Sequence, residues 1–157
     1  MAYIVDGNNV MGQTPGWHRD KPDARRRFLA RVAAFNRVKK TRVTVVFDGG
    51  PDPAFPEGSA FLGVKVLYAE RGSDADSRIC RLVEASKDRR GLTVVTSDRQ
   101  LGFLVRSSGA AVLRSGEFRK LMAEVESRSS SVGDGERTEV EDLNEWFRYF
   151  GALPDDD

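Results

Sequence analysis

Several apolar segments of the sequence run into an aspartate, and each has the β-branched composition of a buried strand. The aspartates that follow these segments are Asp6, Asp48 and Asp98. If the strands are parallel, their carboxyl ends lie at one edge of the sheet, where open α/β folds place their ligand sites. Asp74 and Asp76 stand near the predicted start of a helix and join the group if that helix begins at the same edge. The spacing therefore predicts a cluster of carboxylates in one crevice.

A crevice lined by carboxylates requires a cation, because like charges repel and some of the acids would otherwise stay protonated. The chain has one histidine, His18, and one cysteine, Cys80, which argues against a zinc site and excludes an internal disulfide. An oxygen-only ligand set favours Mg²⁺ or Mn²⁺, which can activate a water for attack on phosphorus. The residues that we expect to be catalytic are Asp6, Asp48, Asp76 and Asp98. The expected metal ligands are Asp6, Asp76 and Asp98.

Four further residues near the aspartates are candidates for supporting roles. They are Asn9, Asp74, Ser97 and Arg99. Asn9 can orient a site carboxylate or a water, or it can hold the turn predicted at residues 7–9. Arg99 can contact a substrate phosphate or pair with a site aspartate. Each aspartate also has a structural alternative, because aspartate favours turns and caps helices, so only the joint pattern favours a site.

The charge of the chain is divided between a basic body and an acidic tail. Residues 1–120 carry 22 Lys/Arg and 13 Asp/Glu, a net charge of +9, and residues 121–157 carry 3 and 11, a net charge of −8. Within the body, residues 19–42 hold ten Lys/Arg against two Asp. This pattern predicts a phosphate-binding face, although a solvated helix face has the same composition. The predicted RNA-binding residues are Arg25, Arg26, Arg27, Arg31, Lys39 and Lys40.

Strands and helices alternate along the sequence, which predicts an α/β fold with a parallel sheet between two layers of helices. The predicted strands cover residues 3–5, 41–47, 63–68, 92–96 and 110–113. The predicted helices cover residues 23–39, a segment that begins at Ser73, residues 101–105 and residues 117–126. Residues 11–22 and 49–59 are rich in glycine and proline, which indicates loops.

The last part of the chain is predicted to be separate from this domain. We expect a domain over residues 1–127, a polar linker over residues 128–137, and an acidic C-terminal helix and tail over residues 138–157. The apolar face of that helix either packs on the body or contacts a protein partner or a second copy of the chain, as in a homodimer. This face consists of Val140, Leu143, Trp146, Phe147 and Phe150.

Several other classes of protein do not fit the sequence. No run approaches the roughly 18 apolar residues of a membrane helix, so we expect no membrane partner. The first residues lack a basic segment followed by a long apolar one, so we expect no secretory signal and a cytoplasmic location. A phosphate-binding G-x-x-x-x-G-K-[ST] loop is absent, as is a G-x-G-x-x-G loop after a strand. This argues against an ATPase or a nicotinamide enzyme.

Four segments together resemble the NYN/YacP-like family, which belongs to the PIN-like group of nucleases. The segments are IVDGNNV (4–10), TVVFDG (44–49), SDADSRI (73–79) and VVTSDR (94–99). The resemblance implies a parallel sheet sandwiched by helices and metal-dependent cleavage of RNA by acidic residues at the carboxyl edge of the sheet. By motif, the resemblance places Asp6, Asp48, Asp76 and Asp98 among these acidic residues, and it matches Asn9 to the asparagine of the first motif.

The sequence departs from the family at the start of the third segment's helix. Family members often carry two adjacent acids there, whereas Asp76 is followed by Ser77 and preceded, two residues earlier, by Asp74. This leaves open whether one or two metal ions bind.

The sequence leaves three candidate functions. They are a metal-dependent endoribonuclease, a non-catalytic RNA-binding adaptor in an RNA-processing assembly, and a phosphatase acting on small molecules.

Overall fold

Six strands form one sheet in the computed structural model, which describes residues 1–12 and 21–131. The strands are β1 (Ala2–Asp6), β2 (Arg42–Phe47), β3 (Ala60–Phe61), β4 (Val64–Tyr68), β5 (Leu92–Val95) and β6 (Ala111–Leu113). Their order across the sheet is β3-β4-β2-β1-β5-β6, and all neighbours are parallel except the antiparallel pair β3–β4. This confirms the predicted α/β class with a parallel sheet.

Helices cover both faces of the sheet. They are α1 (Gly7–Met11), α2 (Lys21–Lys39), α3 (Ala75–Ala85), α4 (Arg99–Ser107) and α5 (Ser115–Ser131). One core joins α1, α2 and α5 to the sheet through residues such as Val5, Phe28 and Phe118, and the other joins α3 and α4 to the opposite face through residues such as Ile4. Consecutive residues of a strand point to opposite faces of the sheet, and helices bury both faces. This explains why the strands are apolar throughout instead of alternating between apolar and polar residues.

The predicted strands are confirmed to within two residues, but the hairpin β3–β4 was not predicted. Its two-residue turn has positive φ at both Leu62 (51°) and Gly63 (91°). Such turns are usually signalled by asparagine or aspartate before glycine, whereas a leucine gives no such signal. The local sequence therefore does not predict this turn.

Several helix boundaries differ from the prediction. The predicted turn at residues 7–9 is wrong, because these residues form the first turn of α1, and α2 begins at Lys21, inside the predicted loop 11–22. Helix α5 continues to Ser131, four residues into the segment predicted as a linker. The described residues do not include the rest of that linker or the predicted C-terminal helix and tail. The domain division and the contact predicted for the C-terminal helix therefore stay predictions.

Helix α3 begins two residues later than predicted. Asp74 is its N-cap residue, and a carboxylate oxygen of Asp74 accepts a hydrogen bond from the N–H of Ser77 at 2.9 Å. The predicted start at Ser73 is therefore too early, because Asp74 is the residue whose side chain satisfies a free N–H group of the first turn. Asp76 consequently lies in the first turn of α3.

Candidate active site

The carboxyl ends of β2, β1 and β5 lie side by side, because these strands are neighbours in the sheet and run in the same direction. Asp6 is the last residue of β1, Asp48 follows β2 directly, and Asp98 comes three residues after β5. Asp6 is buried, with 4% of its surface exposed, whereas Asp48 is exposed and Asp98 is half-buried. The sheet thus places the three predicted aspartates at one edge.

Gly7 lets α1 begin immediately at this edge. A Cβ atom on Gly7 would lie 2.6 Å from the ring of Phe47, which is closer than any side chain tolerates. Only glycine therefore fits between the end of β1 and β2. The tight start of α1 directs the next two residues, Asn8 and Asn9, toward the neighbouring strands.

Asn8 and Asn9 tie the ends of the strands together. The side-chain oxygen of Asn8 accepts a hydrogen bond from the N–H of Asp48 at 2.8 Å. The side-chain oxygen of Asn9 accepts hydrogen bonds from the N–H of Ser97 at 3.0 Å and from the hydroxyl of Ser115 at 2.6 Å. Asn9 therefore orients the backbone around the site. Asn8 has an equivalent role that the sequence analysis missed, although the doubled asparagine after glycine was the available signal.

Asp6 is held by Thr96, a second residue that the sequence analysis missed. The hydroxyl of Thr96 donates a hydrogen bond to Oδ2 of Asp6 at 3.0 Å, and its oxygen accepts one from the N–H of Asp98 at 3.1 Å. Burial is the main cause that raises the pKa of Asp6 from its ordinary value of 3.8 to about 7. The charges of Asp76 and Asp48 contribute to this increase, and the hydrogen bond from Thr96 opposes it. The hydrogen bond from Thr96 therefore compensates the charged form of Asp6 only in part.

Asp76 reaches the same edge through the start of α3. Oδ1 of Asp48 accepts a hydrogen bond from the N–H of Ala75 at 2.8 Å, which fixes the first turn of α3 beside β2. Burial, with the charges of Asp98, Asp74 and Asp48, raises the pKa of Asp76 to about 6. A side-chain hydrogen bond to the carboxyl group of Asp98 raises it as well. We call Asp6, Asp48, Asp76 and Asp98 the aspartate cluster.

Two aspartates at this edge also cap helices. Oδ1 of Asp98 accepts hydrogen bonds from the N–H groups of Gln100 and Leu101 at 2.9 and 3.1 Å, so Asp98 caps α4. Asp74 caps α3, and its hydrogen bond from Ser77 lowers its pKa. Asp98 can therefore cap α4 and also act as a ligand of the site, because the cap uses only one of its two carboxylate oxygens.

Ser97 links the end of β5 to the start of α5. Its hydroxyl oxygen accepts a hydrogen bond from the N–H of Ser115 at 3.0 Å. Arg99, the fourth supporting candidate, has an exposed side chain at the start of α4 and forms no ion pair with the described residues.

The aspartate cluster has no cationic partner among the described side chains. None of its four carboxylates forms an ion pair with lysine or arginine in residues 1–12 and 21–131. As these side chains stand, no group of three or more acidic, histidine or cysteine residues in the same part of the chain is arranged to hold a metal ion. The donor chemistry nevertheless fits a hard cation, because the donors are carboxylate oxygens. Burial and neighbouring negative charges raise the pKa of two of these groups, Asp6 and Asp76.

Comparison with known proteins identifies the family. The model of the YacP-like NYN domain matches residues 3–146. The chain belongs to the YacP-like NYN family. No curated protein matches the chain.

Two crystal structures of Rae1 (YacP) from Bacillus subtilis share the fold of this family member. One has a TM-score of 0.67 at 22% identity and covers 97% of this chain and 95% of its own. The other, of the W164L mutant, has a TM-score of 0.66 at 22% identity and covers 92% of this chain and 99% of its own. The likeness confirms the mixed α/β architecture of the described residues.

The predicted RNA-binding residues of α2 divide into two groups at opposite edges of the sheet. Arg25, Arg26 and Arg27 lie in the first turns of α2, at the edge of the aspartate cluster. Lys39 is the last residue of α2, and Lys40 follows it, two residues before β2 begins. About 20 Å of helix separates Lys39 from Arg25. Lys39 and Lys40 therefore lie away from the aspartate cluster, because α2 runs antiparallel to the strands, and their role in RNA binding stays a prediction.

The three arginines at the site edge have different partners. The guanidinium of Arg25 donates a hydrogen bond to the carbonyl oxygen of Asp48 at 2.9 Å and lies over the rings of Phe47 and Tyr68 at 4.9 and 5.3 Å. Arg26 and Arg27 both form ion pairs with Asp23. Arg25 thus fastens the end of β2 from the side of α2.

Arg31 is the clearest correction to the predicted RNA-binding set. It is only 5% exposed, and its Nε lies 2.7 Å from a carboxylate oxygen of Glu126 on α5. Burial lowers the pKa of Arg31 and raises that of Glu126, while each charge opposes the shift of the other. Arg31 joins α2 to α5 inside the protein, so it is not available to a phosphate.

Proposed function

We propose that this protein is a divalent-metal-dependent endoribonuclease that hydrolyses phosphodiester bonds of RNA at the aspartate cluster. The observation that carries the proposal is the charge balance of the cluster. Asp76 lies close enough to Asp98, Asp74 and Asp48 for their charges to raise its pKa, yet no lysine or arginine of the described residues pairs with any of the four cluster carboxylates. Such repulsion is tolerated where a cation is recruited.

Three residues of the cluster would hold the cation. Asp6, Asp76 and Asp98 supply oxygen ligands, which Mg²⁺ and Mn²⁺ prefer over nitrogen or sulfur. When bound, such a cation polarises a phosphoryl oxygen and lowers the pKa of a bound water. Asp98 can serve the ion and the helix at once, because its cap uses one carboxylate oxygen.

The other residues orient the site. Thr96 holds the carboxylate of Asp6, and Asn9 fixes the backbone at Ser97, one residue before Asp98. The exposed carboxylate of Asp48 is anchored by the N–H of Ala75 and would orient the attacking water. Membership of the YacP-like NYN family and the arginines at the start of α2 support RNA as the substrate.

Cleavage of a labelled single-stranded RNA tests the proposal. We expect the wild-type protein to cut the RNA with Mn²⁺ or Mg²⁺ and to stop when EDTA is added. Replacement Asp76→Asn should lower the rate at least a hundredfold, because it removes a charged ligand and leaves the helix cap at Asp74 intact. The matched control is Glu84→Gln, which removes one exposed negative charge from the far end of the same helix and should cut at the wild-type rate.

Four results would overturn the proposal. Cutting that persists in EDTA would exclude the metal. Equal rates for Asp76→Asn and Glu84→Gln would exclude the aspartate cluster. RNA that is bound but never cut would favour the non-catalytic adaptor, and a preference for mononucleotides over oligonucleotides would favour the phosphatase.

A further inference from the structure

The outer face of α4 exposes large apolar side chains beside the aspartate cluster. The inner face of this helix is buried through Leu101 and Val105. The outer face carries Phe103, which is 68% exposed, and Leu104, which is 44% exposed. These are two adjacent large hydrophobic residues that the core does not use, and such adjacency on a surface indicates a binding function more often than a single exposed leucine does.

Two arginines flank Phe103 on the same face. Arg99, Phe103 and Arg106 stand four and three residues apart, which aligns them along one side of a helix. Both arginines are exposed, and neither guanidinium forms an ion pair or a side-chain hydrogen bond with the rest of the described chain. Helix α4 contains no acidic residue. The face therefore presents a cation, an aromatic ring and a second cation in a row of about 10 Å.

This row begins at the aspartate cluster. Asp98 caps α4, and Arg99 is the first residue of the helix, so one end of the row is covalently next to a cluster carboxylate. A strand of RNA that enters the cluster from this side would pass along the row. The same face has no neighbouring carboxylate on its own helix that would repel the phosphates.

We propose that the outer face of α4 binds single-stranded RNA next to the cleavage site, with Phe103 stacking on a base and Arg99 and Arg106 contacting phosphates. The proposal rests on the proposed ribonuclease function. Stacking on an exposed aromatic ring requires a base that is already unstacked from a helix, and it tolerates any base. Arginine contacts to the backbone add affinity without sequence preference. The face therefore selects single-stranded over double-stranded RNA and does not select a sequence.

Fluorescence anisotropy of a labelled single-stranded RNA in EDTA tests the face without cleavage. Phe103→Ala should weaken binding roughly tenfold or more, and Phe103→Tyr, which keeps the ring, should bind within about twofold of wild type. Arg99→Ala and Arg106→Ala should each reduce the slope of log affinity against log salt by about 0.7. The controls are Leu62→Ala, which removes another exposed side chain (72%) at the tip of the β3–β4 hairpin, and Lys65→Ala, which removes an exposed cation from β4.

The outcomes separate this proposal from the proposed function. Binding by Phe103→Ala that equals binding by Leu62→Ala overturns the α4 face, even if metal-dependent cleavage is intact. Loss of binding in Phe103→Ala supports the face even if the wild-type protein never cuts RNA, in which case the nuclease function alone fails. Unchanged RNA binding together with a smaller oligomer in Phe103→Ala would also overturn the proposal, because the face would then join two copies of the chain.

Discussion

Burial of a single carboxyl group sets the chemistry of this site. Asp6 ends a strand in the centre of the sheet, so its neighbours remove water from one side while other carboxylates occupy the open side. A hydroxyl from Thr96 is its main compensation. The charged form of Asp6 is thus unfavourable in the protein alone and favourable once a cation is present.

This predicts a pH-dependent effect of Asp6→Asn on stability. The pKa of Asp6 is raised from 3.8 to about 7, so the folded protein is destabilised by the charged form above pH 7 and not below about pH 4. Without metal, Asp6→Asn should therefore increase the free energy of unfolding at pH 8 by up to about 4 kcal/mol, and the gain should shrink as the pH falls through 7. Urea unfolding in EDTA at pH 8 and pH 5 measures it. A gain of the same size at both pH values would contradict the raised pKa.

The residue types and their spacing predicted where the aspartates lie, but they did not predict the residues that hold the aspartates in place. The four aspartates were predictable, because parallel strands bring their carboxyl ends together and the helix start at Asp76 follows a recognisable motif. Asn8 and Thr96 were not predicted, because a turn asparagine and a strand threonine have many ordinary uses. Arg31 was predicted wrongly, because only the packing of α5 on α2 shows that it is buried.

At the scale of elements, the contact between α1 and β2 determines how the site is assembled. A side chain on Gly7 would collide with Phe47, so α1 would have to move away from β2 and take Asn8 and Asn9 with it. The hydrogen bonds that fix Asp48 and Ser97 depend on this spacing.

Two glycine substitutions should therefore have opposite effects. Gly7→Ala should lower the free energy of unfolding by roughly 1–3 kcal/mol and reduce RNA cleavage, because the collision cannot be relieved locally. Gly102→Ala, in α4, should raise stability by up to about 1 kcal/mol, because the new methyl group would meet only Val112 at 3.8 Å and alanine favours helix. Urea unfolding of both variants provides the comparison, and a neutral Gly7→Ala would refute the proposed packing.

The ion pair between α2 and α5 gives a second prediction at this scale. Glu126→Ala should destabilise the protein by about 3–5 kcal/mol, because it removes the carboxylate that forms an ion pair with the buried guanidinium of Arg31. The double replacement Arg31→Met with Glu126→Leu should recover most of that loss, and it should leave the salt dependence of RNA binding unchanged. A reduced salt dependence in the double variant would mean that Arg31 contacts phosphate after all.

Most helices and strands were predictable from apolar periodicity, and the exceptions have physical reasons. The turn between β3 and β4 places Leu62 at positive φ, a conformation that leucine does not signal. The start of α1 looks like a turn because Gly-Asn-Asn favours turns, and it becomes helical through the bonds that both asparagines make to other strands. Tertiary contacts determine both the β3–β4 turn and the start of α1, and local sequence does not show such contacts.

At the scale of the whole molecule, charge is arranged by the direction of the elements. Helices α3, α4 and α5 all begin at the carboxyl edge of the sheet, so the positive ends of their dipoles face the aspartate cluster. The basic residues of α2 are divided between this edge and the opposite one, although the sequence shows them as one run. Among helices of the described residues, none has both the length and the apolar character that a membrane span requires.

The chemical nature of the cut ends tests the central claim most directly. Hydrolysis by a water at the aspartate cluster does not use the 2′-hydroxyl of the RNA. We therefore predict linear phosphate ends when the wild-type protein cuts single-stranded RNA in Mn²⁺. We also predict continued cutting of a strand in which the 2′-hydroxyl at the cleaved position is replaced by hydrogen. Cyclic 2′,3′-phosphate ends, with no cutting of the substituted strand, would contradict the account, because the RNA would then supply its own nucleophile.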